Sequence, residues 1–142
     1  LGDVYKRQVL SLSDILFINE SEASLLSGKK TIYDSASLFL DLGLKIVVVK
    51  KGGQGAELFS NEENIKVGAH KVNVVDPTGA GDVFGGAFIS TLAQGGTLSD
   101  SLVNGSAMAS FCVEGFGTSC ILNVSEEELE DRKSNLYSTL SS

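Results

Sequence analysis

The stretch DPTGAGDVFGGAF, residues 76–88, places four glycines and two aspartates around the predicted start of a helix. Glycine-rich turns before helices bind phosphate groups through backbone amides and the positive end of the helix dipole. A Walker loop would place a lysine directly after its second glycine, whereas this stretch has Asp82. The stretch therefore predicts an anion site that includes a carboxylate, whose role must be explained.

Two common nucleotide-binding patterns do not fit this stretch. The Walker pattern G-x-x-x-x-G-K-[ST] fails because no lysine follows any glycine in residues 76–88. The dinucleotide pattern G-x-G-x-x-G, started at Gly79 and Gly81, would need a third glycine where Phe84 stands. A dehydrogenase fragment with a dinucleotide site is therefore kept only as a distant alternative.

The aspartate has a chemical role if the anion is a phosphoryl group in transfer. Residues 77–78 favour a turn, and the small residues 79–81 allow their amides to converge at the N-terminus of the following helix. Asp82 would face the same place, where a carboxylate can accept the proton of an attacking hydroxyl group. The alternative interpretation is an aspartate that caps the helix, with glycines that only form a turn.

The composition of the whole chain is that of a globular protein. Its 142 residues, 42% of them hydrophobic and 20% charged, suffice for one domain with a hydrophobic core. The net charge of −7, from 11 basic and 18 acidic residues, disfavours a nucleic acid as partner. Apolar runs such as residues 46–49 are too short to cross a bilayer, so we expect a soluble, cytoplasmic protein without a membrane partner.

The few histidine and cysteine residues exclude two kinds of catalytic site. His70 is the only histidine, so a zinc site built on histidines or a Ser-His-Asp triad would lack its partners. Cys112 and Cys120 are the only cysteines, and their spacing fits neither a C-x-x-C pair nor a disulfide framework. We expect both thiols to be reduced and structural.

Strand and helix patterns alternate along the chain. The predicted strands are DILFIN (14–19), KIVVVK (45–50) and an antiparallel hairpin of AELFS (56–60) and NIKVGA (64–69). The predicted helices cover 20–28 with Gly28 as C-cap, 31–43, 80–94, 99–113 and 125–140. This alternation predicts an α/β fold with a mainly parallel sheet flanked by helices on both faces, and Asn19, Gly52 and Gly79 at one rim.

Three motifs resemble those of the ribokinase-like (PfkB) carbohydrate kinases. DPTGAGDVFGGAF meets every fixed position of the family's C-terminal signature, D-x-x-G-A-G-D-x-F-x-x-x-F. NESEA matches the family's N-x-x-E motif through Asn19 and Glu22, and VKKGGQGA (49–56) matches its glycine-containing nucleotide loop. The motifs occur in family order from about residue 14 onwards, so the resemblance implies the C-terminal part of a ribokinase-like fold.

The resemblance implies ATP-dependent transfer of a phosphoryl group to a hydroxyl group of a sugar or nucleoside. Asp82 would be the catalytic base, and an anion hole that stabilises the transferred group would be formed by the amides of Gly79, Ala80, Gly81 and Asp82. The expected partners are therefore ATP and a small sugar or nucleoside, and a homodimer is a further expectation.

The resemblance also implies residues that hold ATP and Mg²⁺. Asn19 and Glu22 would lie near the magnesium ion and the phosphates, largely through water, and the alternative is a helix cap and a solvated acid. A second segment would pass beside the ATP phosphates and ribose; it consists of Lys50, Lys51, Gly52, Gly53, Gln54 and Gly55. The alternative is that these residues form only a tight turn between strands. Ser106 would lie near the adenine, unless its side of the helix serves only close packing.

A monovalent cation beside the anion hole is a feature of some family members. The resemblance would give this role to Asp76, Thr78 and the backbone around Gly117. The segment EGFGTSC (114–120) departs from the family's usual loop at this place, so potassium dependence stays open.

The resemblance divides the chain into two parts. Residues 1–8, LGDVYKRQ, are expected to be a non-native leader, the alternative being the tail of a helix, and 9–142 to be the C-terminal nucleotide-binding and catalytic part. The sugar-binding residues and the lid of family members lie in their N-terminal portion, so we expect this segment alone to be inactive. The alternative from another class is a non-catalytic nucleotide-binding module, from a truncated or inactive kinase.

Overall fold

The computed structural model describes residues 8–10, 12–117 and 119–142. The predicted leader lies outside the described residues except for Gln8. The chain forms two compact units. The first contains the described residues up to Lys51 together with 57–65 and Ser142, and the second contains 52–56 and 66–141. Within the described residues, no helix is both long and apolar enough to span a membrane.

The first unit is built on two parallel strands, β1 (Ile15–Asn19) and β2 (Ile46–Lys50). Their register sets Ile15 opposite Ile46 and Asn19 opposite Lys50, so both strands end at the same edge. Both strands were predicted from their apolar runs, and both predictions are confirmed. The core that they share with the neighbouring helices is formed by Leu10, Ile18, Ala23, Ala36, Phe39, Leu44, Val47, Val49 and Phe59.

Two helices connect the parallel strands. Helix α1 (Glu20–Ser27) ends at Gly28, whose φ of 71° is the left-handed conformation predicted for this C-cap. Helix α2 (Ile32–Asp41) begins where the side chain of Thr31 accepts a hydrogen bond from the backbone of Asp34. A helical connection of this kind is what two parallel neighbours require, and it confirms the α/β class.

The sheet continues through β3 (Ala56–Ser60) and β4 (Asn64–Val67) in the order β1-β2-β3-β4. The connections, residues 51–55 and 61–63, are too short for the crossover that parallel neighbours need, so β3 and β4 extend the parallel pair in antiparallel fashion. The Ser60 amide donates to the Glu63 carbonyl oxygen at 2.9 Å and closes the turn. The predicted hairpin is therefore confirmed.

Within the described residues, the second unit contains four helices: α3 (Ala80–Ala93), α4 (Leu98–Cys112), α5 (Ser119–Leu122) and α6 (Glu126–Tyr137). Helices α3 and α4 pack closely because Gly105 has no side chain: a Cβ atom there would lie 3.0 Å from the carbonyl oxygen of Phe84. The three long helices were predicted, whereas the single turn of α5 was not. The buried apolar residues of these helices are Phe84, Phe88, Leu102, Val103, Ala107, Phe111, Cys112 and Leu136.

A hydrogen bond between Tyr137 and Asp100 joins the end of α6 to the first turn of α4. The tyrosine hydroxyl donates to Oδ1 of Asp100 at 2.6 Å. Tyr137 is 38% exposed, and the partial loss of water around its hydroxyl group, together with this bond, raises the pKa of Tyr137 to about 12. The same hydrogen bond is the main reason why the pKa of Asp100 lies below its ordinary value.

Replacing Tyr137 by phenylalanine should therefore lower the free energy of unfolding at neutral pH by about 0.5–1.5 kcal/mol. A carboxyl group whose pKa is lower in the folded state stabilises the fold above its ordinary pKa, and this contribution is lost as the pH falls through the folded-state value. The difference between wild type and Tyr137→Phe should accordingly shrink in acid. Urea unfolding of both proteins at pH 7 and at a pH below the ordinary pKa of aspartate measures this difference in the free energy of unfolding. An equal difference at the two pH values would contradict a contribution from the hydrogen bond between Tyr137 and the charged Asp100.

Candidate active site

The segment 76–82 forms a turn that leads directly into α3. Gly79 is the N-cap residue and has a φ of 82°, a left-handed conformation that glycine adopts without strain. The amide of Ala80 donates to the carbonyl oxygen of Pro77 at 3.2 Å, and the amide of Val83 makes the first helical bond to Gly79 at 3.0 Å. The predicted glycine turn before a helix is therefore present.

The turn is held against the C-terminal end of α4. The carbonyl oxygen of Val113 accepts hydrogen bonds from the amides of Val75, at 2.7 Å, and Asp76, at 3.2 Å. The buried thiol of Cys112 lies 3.7 Å from the carbonyl oxygen of Thr78, and burial raises the pKa of this thiol. Cys112 is a free cysteine that packs in the interior, which agrees with the prediction of a reduced, structural thiol. Its contact with the glycine turn was not predicted.

Asp82 occupies the third position of α3, where a carboxylate can cap a helix. In α1, α4 and α6 the acid at this position accepts a hydrogen bond from the N-cap amide; these acids are Glu22, Asp100 and Glu128. Helix α3 begins without any side-chain capping bond, because its N-cap residue is a glycine and Asp82 does not reach back to it. Asp82 is exposed to solvent. The capping alternative lacks the hydrogen bond that defines it.

The backbone amides at the start of α3 differ in their hydrogen bonding. Among the described residues, Ala80 alone of positions 79–82 donates its amide to a backbone carbonyl group. Amides in the first turn of a helix have no acceptor within the helix, so Gly79, Gly81 and Asp82 retain donors for an external group. Three of the four amides assigned to the anion hole are therefore available, and the fourth closes the turn.

Asp76 and Thr78 form a tight turn within the same segment. The Thr78 amide donates to Oδ1 of Asp76 at 2.9 Å, and this bond lowers the pKa of the Asp76 carboxyl group, which keeps it charged. Gly117, the third residue named for a monovalent cation, has a φ of 64°. Within the described ranges, no group of three or more histidine, cysteine, aspartate or glutamate side chains could hold a metal ion.

The predicted nucleotide loop begins with a 3-10 turn, Gly52–Gln54, closed by a hydrogen bond of 3.0 Å from the Gly55 amide to the Gly52 carbonyl oxygen. Gly55 has a φ of 94°, and a Cβ atom there would overlap the carbonyl oxygen of Val67. The position therefore requires glycine for both its conformation and its close approach to the backbone. Gly53, in contrast, has open space around its Cα and an ordinary φ.

Ser106 lies on α4, next to the glycine that packs against α3. Its hydroxyl oxygen is buried, and within the described part of the chain it has no hydrogen-bond partner. A buried hydroxyl group normally has such a partner, so an orphan of this kind requires an explanation. Close packing, the alternative for this stretch, explains Gly105 but leaves the hydroxyl group of Ser106 unexplained.

The remaining predicted residues lie in the first unit. Asn19 and Glu22 form a reciprocal capping box, in which Oδ1 of Asn19 accepts the Glu22 amide at 2.8 Å and Oε2 of Glu22 accepts the Asn19 amide at 3.0 Å. The helix cap that was the alternative for Asn19 is thus present, and Oε1 of Glu22 takes no part in it. Lys50 ends β2 opposite Asn19, and the ammonium group of Lys51 pairs with Glu57 at 3.0 Å.

Comparisons with known proteins agree with the motifs. A model described as pfkB family carbohydrate kinase matches residues 3–123. A ribokinase from Staphylococcus aureus is 37% identical over 126 residues, which are 84% of this chain and 41% of the ribokinase. A cytidine kinase from Thermococcus kodakarensis is 32% identical over 96 residues, which are 66% of this chain and 34% of that kinase.

A solved structure shares the fold. The structure of a putative ribokinase II from E. coli in complex with ATP and Mg²⁺ superposes with a TM-score of 0.80 and 36% sequence identity. The match covers 91% of this chain and 42% of that structure. The chain thus spans less than half the length of each of these three relatives.

Proposed function

The chain belongs to the pfkB family of carbohydrate kinases, and on that premise we propose that residues 9–142 are the nucleotide-binding and catalytic part of an ATP-dependent sugar or nucleoside kinase. The relatives named above include a ribokinase and a cytidine kinase, which supports a hydroxyl group of a sugar or nucleoside as acceptor. The observation that carries the proposal is the start of α3, where a glycine turn leaves three amides available beside an exposed, non-capping Asp82.

Asp82 is the proposed catalytic base. Its carboxylate accepts the proton of the attacking hydroxyl group while the oxygen of that group forms a bond to the γ-phosphorus of ATP. The bond between the γ-phosphorus and the bridging oxygen breaks, and ADP leaves with the electron pair. This role is consistent with a carboxylate that makes no capping hydrogen bond and is reached by solvent.

The amides of Gly79, Gly81 and Asp82 are the proposed donors to the transferred phosphoryl group. Their position at the N-terminus of α3 adds the positive end of the helix dipole, which favours negative charge at that place. The amide of Ala80 belongs to the same proposed anion hole, and it can share its hydrogen between the Pro77 carbonyl oxygen and the phosphoryl group. Donors fixed in this way need no reorganisation when charge develops on the transferred group.

The nucleotide would lie along the loop of residues 50–55 and reach Ser106. The proposed role of Ser106 is a hydrogen bond to the adenine. The missing partner of its buried hydroxyl group among the described residues is consistent with that role. A Cβ atom added at Gly52 or Gly53 would meet no atom within 4 Å apart from those of its own residue and its chain neighbours, so no other part of the chain packs against these two glycines.

Mg²⁺ would arrive with the phosphates of ATP. An ion bound in this way keeps several waters and needs few protein oxygens. Oε1 of Glu22, which takes no part in the capping box, would suit it directly or through water, and Asn19 would act through water. The ion supplies positive charge to the phosphates when bound. A monovalent cation would meet the charged carboxylate of Asp76 and the backbone of Thr78.

A phosphotransfer assay of the complete enzyme over a panel of sugars and nucleosides tests the proposed function. With MgATP, at least one acceptor should yield a phosphoester and one equivalent of ADP. Binding of MgATP without transfer to any acceptor would favour the non-catalytic nucleotide-binding module instead. Preference for NADH over ATP would favour the dehydrogenase alternative.

A further inference from the structure

An ion pair with one fully buried partner flanks the nucleotide loop. The ammonium group of Lys51 lies 3.0 Å from Oε2 of Glu57, whose side chain is fully buried, while 19% of the Lys51 side chain is exposed. The other carboxylate oxygen, Oε1, accepts a hydrogen bond of 3.1 Å from the amide nitrogen of Asn64. The fully buried carboxylate is thus held by a cation on one side and an amide on the other.

The burial of this pair is not explained by stability alone. Removing the Glu57 carboxylate from water costs several kcal/mol, and apolar residues of similar size in place of such a pair are often as stable or more so. The cluster is also incompletely satisfied, because the buried Oδ1 of Asn64 has no hydrogen-bond partner within the described residues. We therefore look for a geometric role of the Lys51–Glu57 pair in addition to any contribution to stability.

The place of the pair in the chain indicates that role. Lys51 directly precedes Gly52, and Glu57 directly follows Ala56, so the ion pair joins the two residues that enclose the segment 52–56. Within this segment the Gly55 amide donates to the Gly52 carbonyl oxygen, and both glycines have left-handed conformations. Fixing both ends of a five-residue segment removes conformations that would compete with this turn.

We propose that Glu57 is a positioning residue for the nucleotide loop: it holds Lys51 and thereby fixes both ends of the segment 52–56 in the shape that binds ATP. The proposal deepens the proposed function and rests on it. The ammonium group of Lys51 pairs with Glu57, so Lys51 affects nucleotide binding by fixing the conformation of the loop. In this proposal, the backbone of the loop, and not the Lys51 side chain, contacts the phosphates directly.

Three variants of this chain separate positioning from stability: Lys51→Met, Lys51→Met combined with Glu57→Leu, and Glu57→Gln. The single Lys51 variant leaves a buried charge without its partner and should unfold at a lower temperature. The double variant removes both charges, so its unfolding temperature should return toward that of the wild type. Glu57→Gln keeps the shape of the side chain and should remain folded even if the double variant does not.

The decisive readouts are hydrogen exchange of the Gly55 amide and titration with MgATP. In the double variant and in Glu57→Gln, we expect the Gly55 amide to exchange about tenfold faster or more, because the turn opens locally. The dissociation constant for MgATP should rise by about tenfold or more in the same variants. In the double variant, both changes should occur although the unfolding temperature is near that of the wild type. Glu57→Gln leaves the Lys51 ammonium group without its counter charge, so it should unfold at a lower temperature but remain folded under the conditions of the titration.

The exposed pair of Lys45 and Asp14 provides a matched control in the same unit. Its atoms are 2.7 Å apart, and its side chains are 75% and 70% exposed. Lys45→Met combined with Asp14→Leu should change neither the Gly55 exchange rate nor the MgATP affinity. Wild-type Gly55 exchange in Glu57→Gln or in a folded double variant would overturn the positioning role. Failure of the wild-type chain to bind MgATP would instead refute the proposed function, while the exchange result still decides whether Glu57 orders the loop.

Discussion

Replacing Asp82 by asparagine is expected to lower the turnover of the complete enzyme by about 10²- to 10⁴-fold. Asparagine keeps the size of the side chain and the amide at the start of α3, but it cannot accept the proton of the attacking hydroxyl group. The affinity for MgATP should change little, because proton transfer occurs only in the transition state. Steady-state turnover and a direct titration with MgATP measure the two effects separately.

The matched control for this substitution is Asp100→Asn. Asp100 occupies the same third position of α4, but there it accepts the Thr97 amide and the hydroxyl group of Tyr137. Its replacement should lower the unfolding temperature and leave turnover close to that of the wild type. Asp82→Asn should do the reverse, since Asp82 makes no capping bond. Near-normal turnover in Asp82→Asn would contradict the role of Asp82 as base.

Replacing Gly55 by alanine is expected to have the largest effect on ATP binding. The left-handed conformation disfavours any side chain, and the added Cβ atom would overlap the carbonyl oxygen of Val67, so the loop must move. We expect a loss of about 1–3 kcal/mol in the free energy of unfolding. The dissociation constant for MgATP should rise by at least about tenfold, which corresponds to about 1.4 kcal/mol.

Gly53→Ala is the structural control within the same loop. Gly53 has an ordinary φ, and a Cβ atom added there would meet no other atom within 4 Å, so its replacement should leave the unfolding temperature unchanged. Thermal unfolding of both variants shows whether the requirement for glycine is specific to position 55. If Gly55→Ala were as stable as Gly53→Ala and bound MgATP normally, the close approach of Gly55 to Val67 would not be required for stability or for ATP binding.

The sequence predicts the parts of this site that depend on local chemistry. The glycine turn at Gly79 follows from DPTGAGD because a left-handed residue and a helix start both have local signals. The alternation of strands and helices also follows from periodicity and from glycine at positions such as Gly28. These features need no knowledge of what packs against them.

The polar contacts between distant residues could not be predicted in this way. AELFS indicates a short strand, but its pattern does not reveal that Glu57 is buried, because that depends on Lys51 and Asn64. The contact of Cys112 with Thr78 likewise depends on how α4 meets the glycine turn. Capping is a further example. Asp82 and Asp100 both occupy the third position of a helix, but the structure shows that only Asp100 accepts a hydrogen bond from the N-cap amide.

Titration of this chain with MgATP tests the central claim most directly, because the proposed site holds the nucleotide beside the loop of residues 52–55 and the transferred phosphoryl group at the start of α3. The wild-type chain should bind one MgATP. Asp82→Asn should bind it equally well, and Gly55→Ala should bind it at least about tenfold more weakly. A chain that binds no MgATP, or that binds NADH more tightly than MgATP, would contradict the account.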